Sequence, residues 1–180
     1  GAKRFDMCGK ATVQALFLAL LSYPVLLGLS PLIRYFFALA GHSPEQVRLG
    51  YTYFQTLIFG SLFLILRFAL SGFFIGIGRT TVVMLANFAG VLVNVPLNYI
   101  LIFGKLGFPA LGLRGAAVGT ILGNLVIFLI LFTFYLRGKN RIDFETHKSF
   151  RFLKETFVKL VRFGVPAGLE MFLGVTAFNL

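Results

Sequence analysis

The chain has 180 residues, of which 58% are apolar and 13% charged, and its net charge is +11. Soluble domains are nearer half apolar and a quarter charged, so this composition excludes an ordinary soluble domain and points to an integral membrane protein. The excess of cations would suggest nucleic acid in a soluble protein; here the cations fall between apolar runs, where they set topology and meet anionic lipid, and no nucleic-acid partner is expected.

Residues 1–10 are polar and carry Lys3, Arg4 and Lys10. The first span is predicted from about Ala11 to Leu32, with no charge between Lys10 and Arg34. At ~1.5 Å per residue it is long enough for roughly 30 Å of hydrocarbon. Pro24 deprives the Leu20 carbonyl of its helical donor, so a kink is expected there. Pro31 bends the chain again and leaves Leu32–Leu39 as a short helical extension. Gly41, Ser43, Pro44 and Glu45 read as a stop followed by a start: glycine ends one helix, Ser43 caps the next, and Pro44 and Glu45 suit its first turn. The second span runs from about Gly50 to Gly76, interrupted by Arg67 and closed at Gly78. The third covers Thr81–Phe103 and the fourth Gly115–Leu136, each free of charge.

A basic connector follows over 137–162. Phe150, Leu153, Phe157 and Leu160 recur there at helical spacing opposite a basic face, which predicts a helix lying on the membrane surface. A fifth span begins near Val161. The chain does not start with Met and stops inside an apolar run, so it reads as part of a longer protein. With residues 1–10 on the cytoplasmic side, that side holds Lys3, Arg4, Lys10, Arg79 and the eight cations of 137–162. The other side holds Arg34, Arg48, Lys105 and Arg114. The positive-inside rule therefore places 1–10 and 137–162 in the cytoplasm and the protein in the cell (inner) membrane.

No pattern of an enzyme is present. Cys8 is the sole cysteine, His42 and His147 fall in polar connectors, and no nucleophile–base pair, phosphate loop or metal spacing occurs. No catalytic residue, metal or organic cofactor is expected. What does call for a reason is the set of polar groups at membrane depth. Asn87, Asn94 and Asn98 fall within about 40° of one another around the third helix, a single stripe. Pro96 lies in the same stretch and frees the Leu92 carbonyl, so amide and carbonyl oxygens gather where transporters build ion and substrate sites. The plainer reading is that these amides only tie helices together. In the fourth span Gly115, Gly119 and Gly123 form a close-packing ridge, and Thr120 and Asn124 beside it are candidates to face the stripe. Arg67 lies about ten residues from the end of its span, too far to reach the interface easily, so it faces protein or water; Gln55 is a weaker position of the same kind. Glu170 is the only acid in an apolar span. Desolvation there favours proton exchange, or else it marks the interface.

The stretch from Asn94 to Thr120 resembles the multidrug and toxin extrusion (MATE) family: Asn94, Asn98, Tyr99, the LIFG of 101–104, the GFPALG of 107–112, the GAA of 115–117 and Thr120. FIGIGRT at 74–80 and FGVPAGLE at 163–170 are similar to family features too. The resemblance implies an all-α, polytopic, two-lobe pseudo-symmetric transporter. Residues 1–136 would supply helices three to six of the first lobe, 137–162 the connector, and 163–180 the start of helix seven in the second lobe. It implies a secondary active transporter, a monomer surrounded by membrane lipid, that exports amphipathic organic cations or drugs in exchange for H+ or Na+. By position Asn94, Asn98 and Thr120 match first-lobe residues of cation coupling. Asn98 stands where some members have Asp, and Gly174 where many have an acid one turn after Glu170; coupling then rests on Glu170 or on the first lobe. The expected substrate and ion set is Asn94, Asn98, Thr120, Glu170, Asn87 and Arg67. Two alternatives stay open: a lipid-linked-precursor flippase of the same superfamily, and a non-transporting membrane scaffold subunit.

Overall fold

A computed structural model describes residues 5–39, 41, 43–137 and 151–178. Its elements are α1 (Phe5–Leu29), α2 (Leu32–Leu39), α3 (Pro44–Gly76), α4 (Thr80–Phe103), α5 (Leu113–Leu136) and α6 (Lys154–Phe178). The all-helical, multi-span class expected from the sequence is the class observed, and α1 from Met7, α3, α4 and α5 are each long and apolar enough to cross a membrane. His42, His147 and connector residues 138–150 lie outside the described residues.

Helix ends follow local chemistry more than the edges of the apolar runs. The first helix stops at Leu29, three residues short of the predicted edge, because Ser30 and Pro31 form a turn from which α2 restarts. α3 begins six residues before the predicted span. Ser43 Oγ accepts from the Gln46 N–H at 3.3 Å, the Gln46 side chain accepts from the Ser43 N–H at 3.0 Å, and Pro44 occupies the first turn. This capping box satisfies two N–H groups that otherwise lack partners. At the far end Gly78 takes φ +77° and the Arg79 N–H reaches back to the Phe74 carbonyl at 2.8 Å, a closure that needs a left-handed residue. Pro24 and Pro96 are both carried inside continuous helices.

The α4–α5 connection is built from backbone. Lys105 N–H donates to the Ile100 carbonyl, and the N–H groups of Leu111 and Gly112 return to the carbonyls of Leu101 and Ile102 at 2.9 and 3.3 Å. The final carbonyls of α4 thus find donors without side chains. Gly104 fits under Ala110, and Gly115 lies so close to the Leu101 peptide that a Cβ there would sit 2.6 Å from its carbonyl.

From that end α4 and α5 run antiparallel along the glycine ridge. Gly119 faces Asn98, Gly123 faces Asn94 and Gly90, and Gly90 in turn meets Ile127. α5 also packs widely on α3, which packs on α1, and α6 lies chiefly on α1. The order across the bundle is therefore α4, α5, α3, α1, α6. Leu70, Phe73, Phe74, Ala86, Ile127, Leu131 and Tyr135 form one buried apolar cluster near the Gly78 end. Phe73 and Tyr135 meet edge to face, with ring centroids 4.9 Å apart. The second half of the predicted connector opens α6, which runs unbroken from Lys154 through Pro166 to Phe178.

Candidate functional site

Above the apolar cluster the bundle is polar. A cavity of about 270 Å³ is lined by Arg67 of α3, by Asn87, Gly90, Val91 and Asn94 of α4, and by Thr120, Gly123, Asn124 and Ile127 of α5. Ile127 belongs to both the cavity and the buried cluster, so the cluster is the cavity's floor. A second volume of about 450 Å³ lies between α3 and α5, and Arg67, Thr120 and Asn124 line both.

Four of the six predicted residues, Arg67, Asn87, Asn94 and Thr120, thus share one cavity, and Asn124 joins them. Arg67 Nη1 donates to Asn87 Oδ1 at 2.8 Å, and Asn87 Nδ2 donates to the Val83 carbonyl at 2.9 Å. Asn98 Nδ2 donates to Asn94 Oδ1 at 3.1 Å. Thr120 Oγ1 and Asn124 Nδ2 donate to the carbonyls of Ala116 and Thr120 in their own helix. The stripe is therefore two amide clusters, one tied to Arg67 and one made of the Asn94–Asn98 pair. Seven residues of helix, ~10 Å, separate Asn87 from Asn94.

The other two predicted residues stand elsewhere. Asn98 is in the α4–α5 seam; its Oδ1 fills the space that a side chain at Gly119 would take, and it is buried with no donor. Glu170 is on an exposed stretch of α6, and no α6 residue lines the cavity. Gln55 is half-buried on α3 and lines neither volume. Among the described residues no group of three His, Cys, Asp or Glu side chains could hold a metal ion.

One polar residue carried no signal in the sequence. Gln14 of α1 is fully buried; its Nε2 donates to the Arg151 carbonyl at 2.8 Å and its Oε1 accepts from the Leu153 N–H at 3.0 Å. With Phe17 edge-on to Phe152 at 6.0 Å, it holds the entry to α6 against α1.

The sequence profile of the MatE family matches residues 1–100. The chain belongs to the MatE family. Curated relatives include the probable multidrug resistance protein YoeA of Bacillus subtilis (strain 168), 31% identical over 134 residues, which are 73% of this chain and 29% of that protein. Multidrug resistance protein MdtK of Yersinia pestis (strain Pestoides F) is 36% identical over 104 residues, 57% of this chain and 23% of that protein. A solved structure described as the inward-facing conformation of a multidrug resistance MATE family transporter of the MOP superfamily superposes with a TM-score of 0.78 at 26% identity, over 92% of this chain and 37% of its own. The chain thus spans under two fifths of the length of each of these proteins. Membership places it in a family of transporters, not enzymes, and with its four candidate spans makes it a multi-pass membrane protein.

Proposed function

We propose that this chain forms the substrate-facing part of the first lobe of a drug exporter in the cell (inner) membrane, one that expels amphipathic organic compounds in exchange for H+ or Na+. The observation that carries the reading is the cavity itself. In a bundle whose composition is apolar, an arginine, a threonine and three asparagines from three helices converge on one space instead of being dispersed. Polar groups at membrane depth are costly unless they serve transport or tie helices together, and a scaffold would pack them without room between them. The multidrug resistance relatives favour drugs over a lipid-linked precursor as cargo.

In this reading the Asn94–Asn98 pair is the coupling element. Two amides joined by one hydrogen bond can exchange donor and acceptor roles, and the Asn98 Oδ1, buried in the seam without a donor, is an acceptor that a cation reaches only when the seam shifts. Glu170, on the helix that would open the second lobe, supplies the carboxyl of a second, separate coupling position. Rocking of two lobes about the cavity then alternates its access.

The test uses the full-length protein in proteoliposomes, with efflux of a fluorescent drug driven by an imposed H+ or Na+ gradient. Asn94→Ala and Asn98→Ala should each slow gradient-driven efflux at least about tenfold while leaving drug binding within a few-fold, and Glu170→Gln should shift or abolish its dependence on the gradient. If all three variants export as the wild type does, the assignment of the coupling residues is wrong.

A further inference from the structure

Arg67 is the only ionisable residue lining either cavity among the described residues. It lies nine residues from the end of α3 at Gly76, ~14 Å along the axis and near the middle of a bilayer. One of its donors reaches Asn87; its Nε is buried with no acceptor. The Phe68 ring, 4.8 Å from the guanidinium carbon, offers a π face but no hydrogen-bond acceptor of comparable strength. A guanidinium left with a donor unmatched at this depth is held at high cost unless an anion joins it.

The rest of the lining points the same way. Asn87 Oδ1 is engaged by Arg67, and Asn94 Oδ1 by Asn98. The Thr120 hydroxyl and the Asn124 amide nitrogen donate within α5. Toward the open volume Arg67 keeps the Nη hydrogens that Asn87 does not engage, Asn94 keeps its Nδ2 group, and the oxygens of Thr120 and Asn124 on the α5 wall remain as acceptors. A cation approaching Arg67 itself meets like charge, whereas an oxyanion meets the Nη end of the guanidinium, whose remaining N–H groups can donate to it. Because Arg67 borders both volumes, a bulky solute has room on either side of it.

We propose that Arg67 binds a carboxylate-type oxyanion on the transported molecule, with Asn87 as the positioning residue that fixes the guanidinium. The solute class is therefore amphiphiles that carry an anionic group, zwitterions included, seated with that group at Arg67 above the apolar floor. The Asn94–Asn98 pair lies about two to three turns beyond Asn87 along α4, so a coupling cation and the solute's anion occupy opposite ends of the stripe. The proposal rests on the efflux reading for the statement that the bound molecule is cargo.

The experiment uses purified full-length protein and a matched pair of fluorescent amphiphiles, one with a free carboxylate and one its methyl ester, measured by fluorescence polarisation. The readout is the ratio of the two affinities, so a general weakening of binding cancels. The wild type should prefer the acid at least tenfold. Arg67→Gln should bring the ratio close to one, and Arg67→Lys, which keeps the charge but loses the fork, should give an intermediate ratio. Equal affinities in the wild type would overturn the proposal, including by showing that a carboxylate elsewhere in the full-length protein already occupies Arg67. An undiminished ratio in both variants would overturn it as well. If Arg67→Gln does not yield folded protein, Arg67→Lys decides by the same criterion. An acid preference in a protein that exports neither probe under any imposed gradient would leave the anion site standing and remove the efflux reading.

Discussion

Asn98 and Gly119 form a lock between two helices. The amide oxygen occupies the place of the missing side chain, so each residue is intelligible only with the other. Gly119→Ala should therefore destabilise the full-length protein by about 1–3 kcal/mol in spite of alanine's better helix propensity, because the added methyl meets the Asn98 side chain. Asn98→Ala alone should cost under about 1 kcal/mol, since it removes one hydrogen bond but also an acceptor that lacks a donor. The double variant should be more stable than Gly119→Ala, and a thermal melt in detergent reads the difference; strict additivity would show that the two do not share space. The sequence displayed this stripe plainly, because the spacing of Asn87, Asn94 and Asn98 fixes one helix face. It did not display which asparagines border a cavity and which lie in a seam. That division depends on where the ridge of the neighbouring helix docks, and docking depth is a property of the pair.

At the scale of elements, the capping box at Ser43, the turn at Pro31 and the glycine closures are legible because each is decided within six residues of chain. Gln14 is the opposite case. A lone glutamine in an apolar run has no periodic signal, and its partners are backbone groups of Arg151 and Leu153, more than 130 positions away. Replacing it with leucine leaves the Leu153 N–H without its acceptor, a loss of about 1–2 kcal/mol for a partly buried donor. Hydrogen exchange at the Leu153 amide should accelerate roughly tenfold in Gln14→Leu, while exchange within α4 and α5 stays unchanged. Equal protection of Leu153 in the two proteins would show that α6 is seated by its apolar contacts alone. The fully helical run of α6 through Lys154 also shows why amphipathic periodicity did not mark an element boundary: the basic opening turns and the apolar turns that follow are one helix.

For the molecule as a whole, composition and span length gave the class and the four crossings of α1, α3, α4 and α5, because the bilayer's thickness constrains both directly. The expected assignment to lobes came from family motifs alone, and the cavity needed three dimensions. The charge distribution adds a topology that can be measured. In the full-length protein with Cys8 and any further cysteine replaced by serine, cysteines placed at Lys105 and at Arg151 should react with a membrane-impermeant maleimide from opposite sides: Lys105→Cys in intact cells, Arg151→Cys only after permeabilisation. Labelling of both from outside would reverse the orientation or remove a span. The exposed apolar faces of α4, including Phe88, Val91, Leu92, Val95 and Tyr99, suit either lipid or further helices.

The α4–α5 connection has a consequence for how the protein is made. Its loop closes on the carbonyls of Ile100, Leu101 and Ile102 just across the turn, and its seam, from Leu101–Gly115 to Gly90–Ile127, runs entirely between helices adjacent in the chain, so the pair's contacts lie within one helical hairpin. The pair can leave the ribosome and enter the bilayer as a finished hairpin, with the Asn94 and Asn98 amides already facing each other instead of hydrocarbon. Biosynthesis then delivers the polar wall of the cavity prefabricated, and the arginine of α3, synthesised earlier, has to wait in the membrane only until Asn87 arrives.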